Sequence, residues 1–182
     1  MAEDEQVEEG CRLVWAKNLL EGSAPCPRGG HTATLFQNSV IIFGGHFYAD
    51  KVRGFEYLND VHVLDLVTSR WTRAHCKGLP PSPRYYHSAT LSKQGVLFFG
   101  GKGPQGCVLK DLYALNPETM TWFVGPEGSG SPCARFGHSA NIVNGSQMVV
   151  FGGYNGQTFF NDAYVLDLET MCWSSPELCG PP

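Results

Sequence analysis

The sequence predicts an all-β protein built from three copies of one four-stranded antiparallel unit, and three observations predict it. Apolar runs of strand length end on paired glycines at Val40-Ile41-Ile42-Phe43-Gly44-Gly45, Val96-Leu97-Phe98-Phe99-Gly100-Gly101 and Met148-Val149-Val150-Phe151-Gly152-Gly153. An arginine three residues ahead of a histidine precedes each run, at Arg28 and His31, Arg84 and His87, and Arg135 and His138. A tryptophan closes each copy, at Trp71, Trp122 and Trp173. Short runs of β-branched and aromatic residues bounded by turn formers describe strands buried on both faces, and such strands need similar strands around them.

Each copy justifies four strands in order. The Arg-x-x-His opening leads into the first, at His31-Thr32-Ala33-Thr34, His87-Ser88-Ala89-Thr90 and His138-Ser139-Ala140-Asn141. Polar turns (Gln37-Asn38-Ser39, Lys93-Gln94-Gly95, Asn144-Gly145-Ser146) join it to the glycine-ended second strand. The third begins at Asp60, Asp111 and Asp162 and alternates as a sheet with two different faces should. Asp65, Asn116 and Asp167 then stand three residues before Thr68, Thr119 and Thr170, where a short side chain can hold a turn backbone. The tryptophan strand is the fourth, and its bulky indoles suit packing between stacked sheets.

The copies give blade bounds of 27–73, 83–124 and 134–175, with 176–182 leading toward another opening. Trp15 precedes Arg28 by the same interval that separates Trp71 from Arg84, so residues 12–20 read as an outer strand of a further, incomplete blade. Residues 1–11 read as a disordered acidic leader, since five acidic and no basic residues fall in the first ten. The openings are 56 residues apart between the first two copies and 51 between the next two, and the difference falls in the aromatic stretch His46 to Leu58.

Composition narrows the function. The net charge of -4 is largely the leader's, and the nearly neutral body lacks the basic face a nucleic-acid binder needs. No secretory leader pattern and no long apolar run is present, and seven cysteines without a Cys-x-x-Cys pair fit free thiols. The expectation is a soluble protein of the cytoplasm or nucleus, without membrane or nucleic-acid partners.

Four strands per unit, a period near 50, the double glycine and the fixed tryptophan resemble the kelch repeat, over residues 12–182. The resemblance implies a segment of a kelch β-propeller, three four-stranded blades plus one N-terminal strand, in the style of stand-alone kelch-domain and host-cell-factor proteins. A closed wheel of six blades would need roughly 300 residues. The resemblance therefore implies an arc, either a fragment or short isoform of a longer protein or one completed by another chain, whose open blade faces would be prone to self-association.

The resemblance also implies an interaction scaffold or substrate-recognition module without catalysis. Two metal-dependent enzymes of related architecture supply one alternative, and a truncated isoform that acts by pairing with other propeller chains supplies another. The iron-binding Glu-x-x-x-Asp-x-x-x-His pattern is matched only at Glu56 and Asp60, with Leu64 in the histidine's place, and no copper set like that of galactose oxidase can be assembled. His31, His87 and His138 fall one per copy, so the repeat explains them without a metal, and no cofactor is expected. Partners are expected to be other proteins. Loops between blades and loops after the double glycines should share one face. There Phe47, Tyr48, Phe55 and Tyr57, with Lys51 and Arg53, are the expected contacts. Arg28, Arg84 and Arg135 are further candidates, because related adaptor domains grip acidic peptides with arginines and a guanidinium holds a carboxylate bidentately.

Overall fold

A computed structural model describes residues 19–126 and 130–176. Among them occur fifteen strands and one helical element, a 3-10 turn at Pro104–Gly106. The first blade contains β1 (Glu21–Gly22), β2 (Thr32–Phe36), β3 (Ser39–Phe43), the hairpin strands β4 (His46–Asp50) and β5 (Gly54–Tyr57), β6 (Val61–Asp65) and β7 (Arg70–Arg73). The second contains β8 (Ser88–Ser92), β9 (Gly95–Lys102), β10 (Val108–Asn116) and β11 (Thr121–Val124). The third contains β12 (Ser139–Val143), β13 (Gln147–Phe151), β14 (Ala163–Asp167) and β15 (Cys172–Ser174).

The sheets run in chain order, β2-β3-β6-β7, β8-β9-β10-β11 and β12-β13-β14-β15, every neighbour antiparallel. Locally the turn chemistry enforces this. Asp65, Asn116 and Asp167 each accept two backbone N–H bonds from the residues two and three further on, at 2.8 to 3.0 Å. Ser69, Met120 and Met171 then take left-handed backbone and reverse the chain into the tryptophan strand. The expected strand over 12–20 lies mainly outside the described residues, and Leu19 and Leu20 are exposed coil. A contact the repeat pattern did not suggest follows them. β1 adds parallel to β7, and Lys77 bridges Thr121 in the same way, so linkers lie along the outer strand of the next blade.

Blades pack face to face through two apolar seams. Ile41, Phe43 and Val61 of the first blade meet Val96, Phe98, Leu115 and Trp122 of the second. Leu97, Phe99 and Leu112 of the second meet Met148, Val150, Leu166 and Trp173 of the third. Period-2 alternation explains the division, because odd residues of β9 face forward and even residues face back. Trp122 and Trp173 are buried in these seams, while Trp71 is half-buried on the rear of the first blade.

Polar bonds pin each seam. His87 Nε2 lies 2.9 Å from Thr32 Oγ1 and His138 Nε2 lies 2.9 Å from Ser88 Oγ, each reaching back to the preceding blade. Gly45 N–H donates to Arg84 C=O at 2.8 Å and Gly101 N–H to Arg135 C=O at 2.9 Å. The double glycines owe their identity to this approach. A Cβ on Gly44 or Gly100 would stand 2.7 or 2.6 Å from those same arginine carbonyls, and both glycines hold φ above +60°.

Candidate partner-docking face

The three arginines lie inside the blades they open, which corrects their assignment as peptide-gripping residues. Arg84 is 0% exposed and uses all five donor positions internally. Its Nε donates to Ser82 C=O, Nη1 to Gly100 C=O and Asp111 Oδ1, and Nη2 to Ser82 Oγ and Asp111 Oδ2. Arg28 repeats the pattern with Cys26, Gly44 and Asp60, and Arg135 with Cys133, Gly152 and Asp162. Each closest N···O approach to the carboxylate is 2.6 Å. A bidentate fork thus ties the opening of a blade to the start of its third strand.

The carboxylate partners were missed because Asp60, Asp111 and Asp162 stand 32, 27 and 27 residues from their arginines. The signal was their recurrence once per copy, with the five-residue excess matching the insertion after Gly45. At Asp60 burial works to raise the carboxyl pKa, but the Arg28 bond and charge and His62 outweigh it and hold it below the ordinary value. Asp60 is therefore engaged by Arg28 and His62. No group of three or more His, Cys, Asp or Glu suited to a metal occurs among the described residues.

The histidines sit apart, on successive seams. Burial first, then Arg84 and the neighbouring histidines, lowers the pKa of His87 to about 3. Burial and Arg135 lower that of His138 to about 4. Both rings are neutral seam staples at neutral pH.

The loops after the double glycines and the openings of the blades meet on one face, joined by the bridges Gly29 to His46, Tyr85 to Lys102 and Phe136 to Tyr154. The stretch 46–58, expected as a loop, is a hairpin. Asp50 accepts N–H bonds from Val52 and Arg53, Gly54 supplies positive φ, and Tyr48 pairs with Phe55 while His46 pairs with Tyr57. Tyr48 and Phe55 are 56% and 55% exposed and pack edge to face at 5.5 Å. Phe47 and Tyr57 are half-buried, and Lys51 and Arg53 are exposed at the tip, Arg53 bonded to Asp50 and Glu56.

An aromatic belt continues from this hairpin across the other blades. His46 contacts Phe55 and Tyr85, Tyr85 contacts Tyr86, Tyr86 stacks on Phe136 and Phe136 meets Tyr154 edge to face. Sequence reasoning singled out only the hairpin end. The signal for the rest was the aromatic spacer inside the Arg-x-x-His openings, Tyr85-Tyr86 and Phe136. Tyr86 adopts φ 53° where the matching residues are Gly30 and Gly137, so a bulky residue holds a conformation that suits glycine.

Sheets stacked radially in chain order, with polar locks inside and aromatic side chains on the loop face, define a propeller-type repeat protein. The KLHDC2/KLHL20/DRC7 Kelch-repeats domain family matches residues 9–182, and the chain belongs to the kelch-repeat family. It is similar to the Rab9 effector protein with kelch motifs of Homo sapiens, 34% identical over 94% of this chain and 47% of the relative. It is also similar to acyl-CoA-binding domain-containing protein 4 of Arabidopsis thaliana, 32% identical over 89% of this chain and 23% of the relative. Host cell factor of Drosophila melanogaster is 32% identical over 92% of this chain and 13% of the relative. The chain thus spans less than half the length of each of these relatives.

Proposed function

We propose that the chain is a protein-interaction module, acting as scaffold or substrate-recognition surface with no catalysis of its own, and that it docks partners on the aromatic face. One observation carries this reading. Tyr48 and Phe55 stand paired and half-exposed on a hairpin whose turn is held by Asp50 and Arg53, so their contact area is presented with little ordering cost. Lys51 and Arg53 give the tip a polar rim. The kinship with a Rab9 effector and a host cell factor supports protein partners. The free cysteines among the described residues, Cys26, Cys76, Cys107, Cys133 and Cys172, support residence in the reducing cytoplasm or nucleus.

The test is a comparison of the chain with its Tyr48→Ala/Phe55→Ala variant as bait, each partner then being re-measured with purified proteins. The reading expects the paired change to weaken a direct partner by at least about tenfold, on the scale of interface anchors, at unchanged melting temperature. Partners that bind both baits equally would overturn it.

A further inference from the structure

The hairpin β4-β5 carries a free strand edge, and its hydrogen-bond register can be read from its flanks. His46 exchanges both main-chain bonds with Gly29, its N–H donating to Gly29 C=O at 3.0 Å and its C=O accepting from Gly29 N–H at 2.9 Å. Along an antiparallel strand the N–H and C=O of one residue point to the same side, and the sides alternate. His46 therefore turns both groups away from β5, and Tyr57 opposite it turns both away from β4. Leu58 N–H, which donates to Gly45 C=O at 2.9 Å, has the same register. Phe47 and Glu56 then exchange bonds across the hairpin, and Phe55 points its main-chain groups outward as Tyr57 does. On that outer side β5 has no neighbouring strand, and Phe55 and Tyr57 have no main-chain partner among the described residues.

This edge overhangs the opening of the second blade. Leu58 C=O accepts from Arg84 N–H at 3.1 Å, and the rings of Tyr57 and Tyr85 lie 5.5 Å apart. Exposed edges are ordinarily blunted by proline, by charge or by a covering segment. The edge Gly54–Tyr57 has no proline, and its one charge, Glu56, is bonded to Arg53 and alternates to the other face of the ribbon from Phe55 and Tyr57. A strand laid beside β5 would place every second side chain on the face that Tyr48, Phe55 and Tyr57 share.

Charge narrows what that strand carries. The carboxylates of this face are already engaged, Asp50 and Glu56 by Arg53, Asp60 by Arg28 and Asp111 by Arg84. Lys51 at the tip makes no ion pair among the described residues, and neither does Lys102, whose ammonium lies 5.2 Å from the centre of the Phe136 ring. The uncompensated charge beside the edge is positive, and an acidic segment complements it.

We infer that the partner contributes an extended peptide segment that adds as a strand to the outer edge of β5, exchanging main-chain bonds with Phe55 and Tyr57. Its alternate side chains are apolar and lie on the aromatic face, and at least one carboxylate faces Lys51 or Lys102. Main-chain bonds then supply affinity and the alternate side chains supply specificity. This names the partner chemistry of the docking face proposed above and depends on that reading.

A display library of random linear peptides, selected on the chain and counter-selected on Tyr48→Ala/Phe55→Ala, supplies the probe. Selected peptides should alternate apolar residues and hold more Asp and Glu than Lys and Arg. Methylating the main-chain nitrogens of the tightest peptide one at a time should weaken binding at least about tenfold at every second position and leave the positions between unchanged. On the protein, Tyr57→Pro removes an outward N–H that the β4-β5 ladder does not use, and it should bind the peptide at least about tenfold more weakly than Tyr57→Ala. Melting temperatures check that both variants fold, and the methylation series decides alone if Tyr57→Pro does not. Strand addition is overturned, with docking on the aromatic face left standing, if the counter-selected peptides show no alternation on methylation, if they favour Lys and Arg, or if folded Tyr57→Pro binds as Tyr57→Ala does. Failure to select any peptide that prefers the wild-type chain to the paired variant would overturn both readings.

Discussion

Replacing Arg84 by methionine tests the internal lock most sharply. The substitution removes a guanidinium that makes five hydrogen bonds, two of them to Asp111 at 2.6 and 2.8 Å, from a position with no solvent access. Breaking one side of a buried ion pair costs roughly 3–5 kcal/mol, because the remaining charge and the carbonyls of Ser82 and Gly100 lose their donors. The Asp111 side chain is 32% exposed and regains some water, which places the expected loss near the low end, about 3 kcal/mol. Urea unfolding of the wild type, Arg84→Met, Asp111→Leu and the double variant gives the coupling directly. The double variant should be more stable than Arg84→Met alone, since it leaves no orphaned carboxylate. Arg84→Lys should recover little, because an ammonium cannot span both oxygens and the two backbone acceptors. A loss under about 0.5 kcal/mol for Arg84→Met, the range of ordinary surface changes, would refute the lock.

Three further outcomes follow from the seams and the face. Trp122→Ala should cost roughly 3–5 kcal/mol in the same assay, as for a buried indole, and an unchanged melting temperature would remove Trp122 from the seam. His87 and His138 have folded pKa values depressed to about 3 and about 4, so their contribution is complete above the unfolded value of 6.5 and falls away as pH drops toward 4. Each histidine gives a slope of about 1.4 kcal/mol per pH unit in that window; His87→Gln should flatten the curve, and a pH-independent wild type from 6.5 to 4.5 would contradict the staple. Tyr86→Gly relieves a left-handed φ of 53° and should leave stability within about 1 kcal/mol while reducing partner affinity; a variant that unfolds would make Tyr86 a structural residue instead.

The fold was legible because each blade restates the same local constraints: a strand period of two, an Asx residue at the turn, and paired glycines where another backbone must pass. The lock was not, because Arg84 and Asp111 meet only through sheet register, 27 residues apart, and an arginine in an opening reads equally well as strut or as ligand. Register also decided the hairpin. Phe47 and Tyr57 lie on a ribbon whose pairing sets Phe47 opposite Glu56 and Tyr57 opposite His46, leaving Tyr48 and Phe55 most exposed, a distinction composition alone could not make. Likewise Tyr85, Tyr86 and Phe136 each had a repeat mark for a neighbour and drew no notice as a group until bridging brought them to one face.

Hydrogen exchange on the chain with and without a purified partner locates the docking surface most directly. Protection should fall on residues 46–57, on Tyr85 and Tyr86 and around Phe136 and Tyr154, where the aromatic belt lies. The turns of the opposite face at Gln37, Val67, Gln94, Glu118 and Glu169 should exchange as before. Protection confined to those turns, with the belt unchanged, would show that partners dock on the other face.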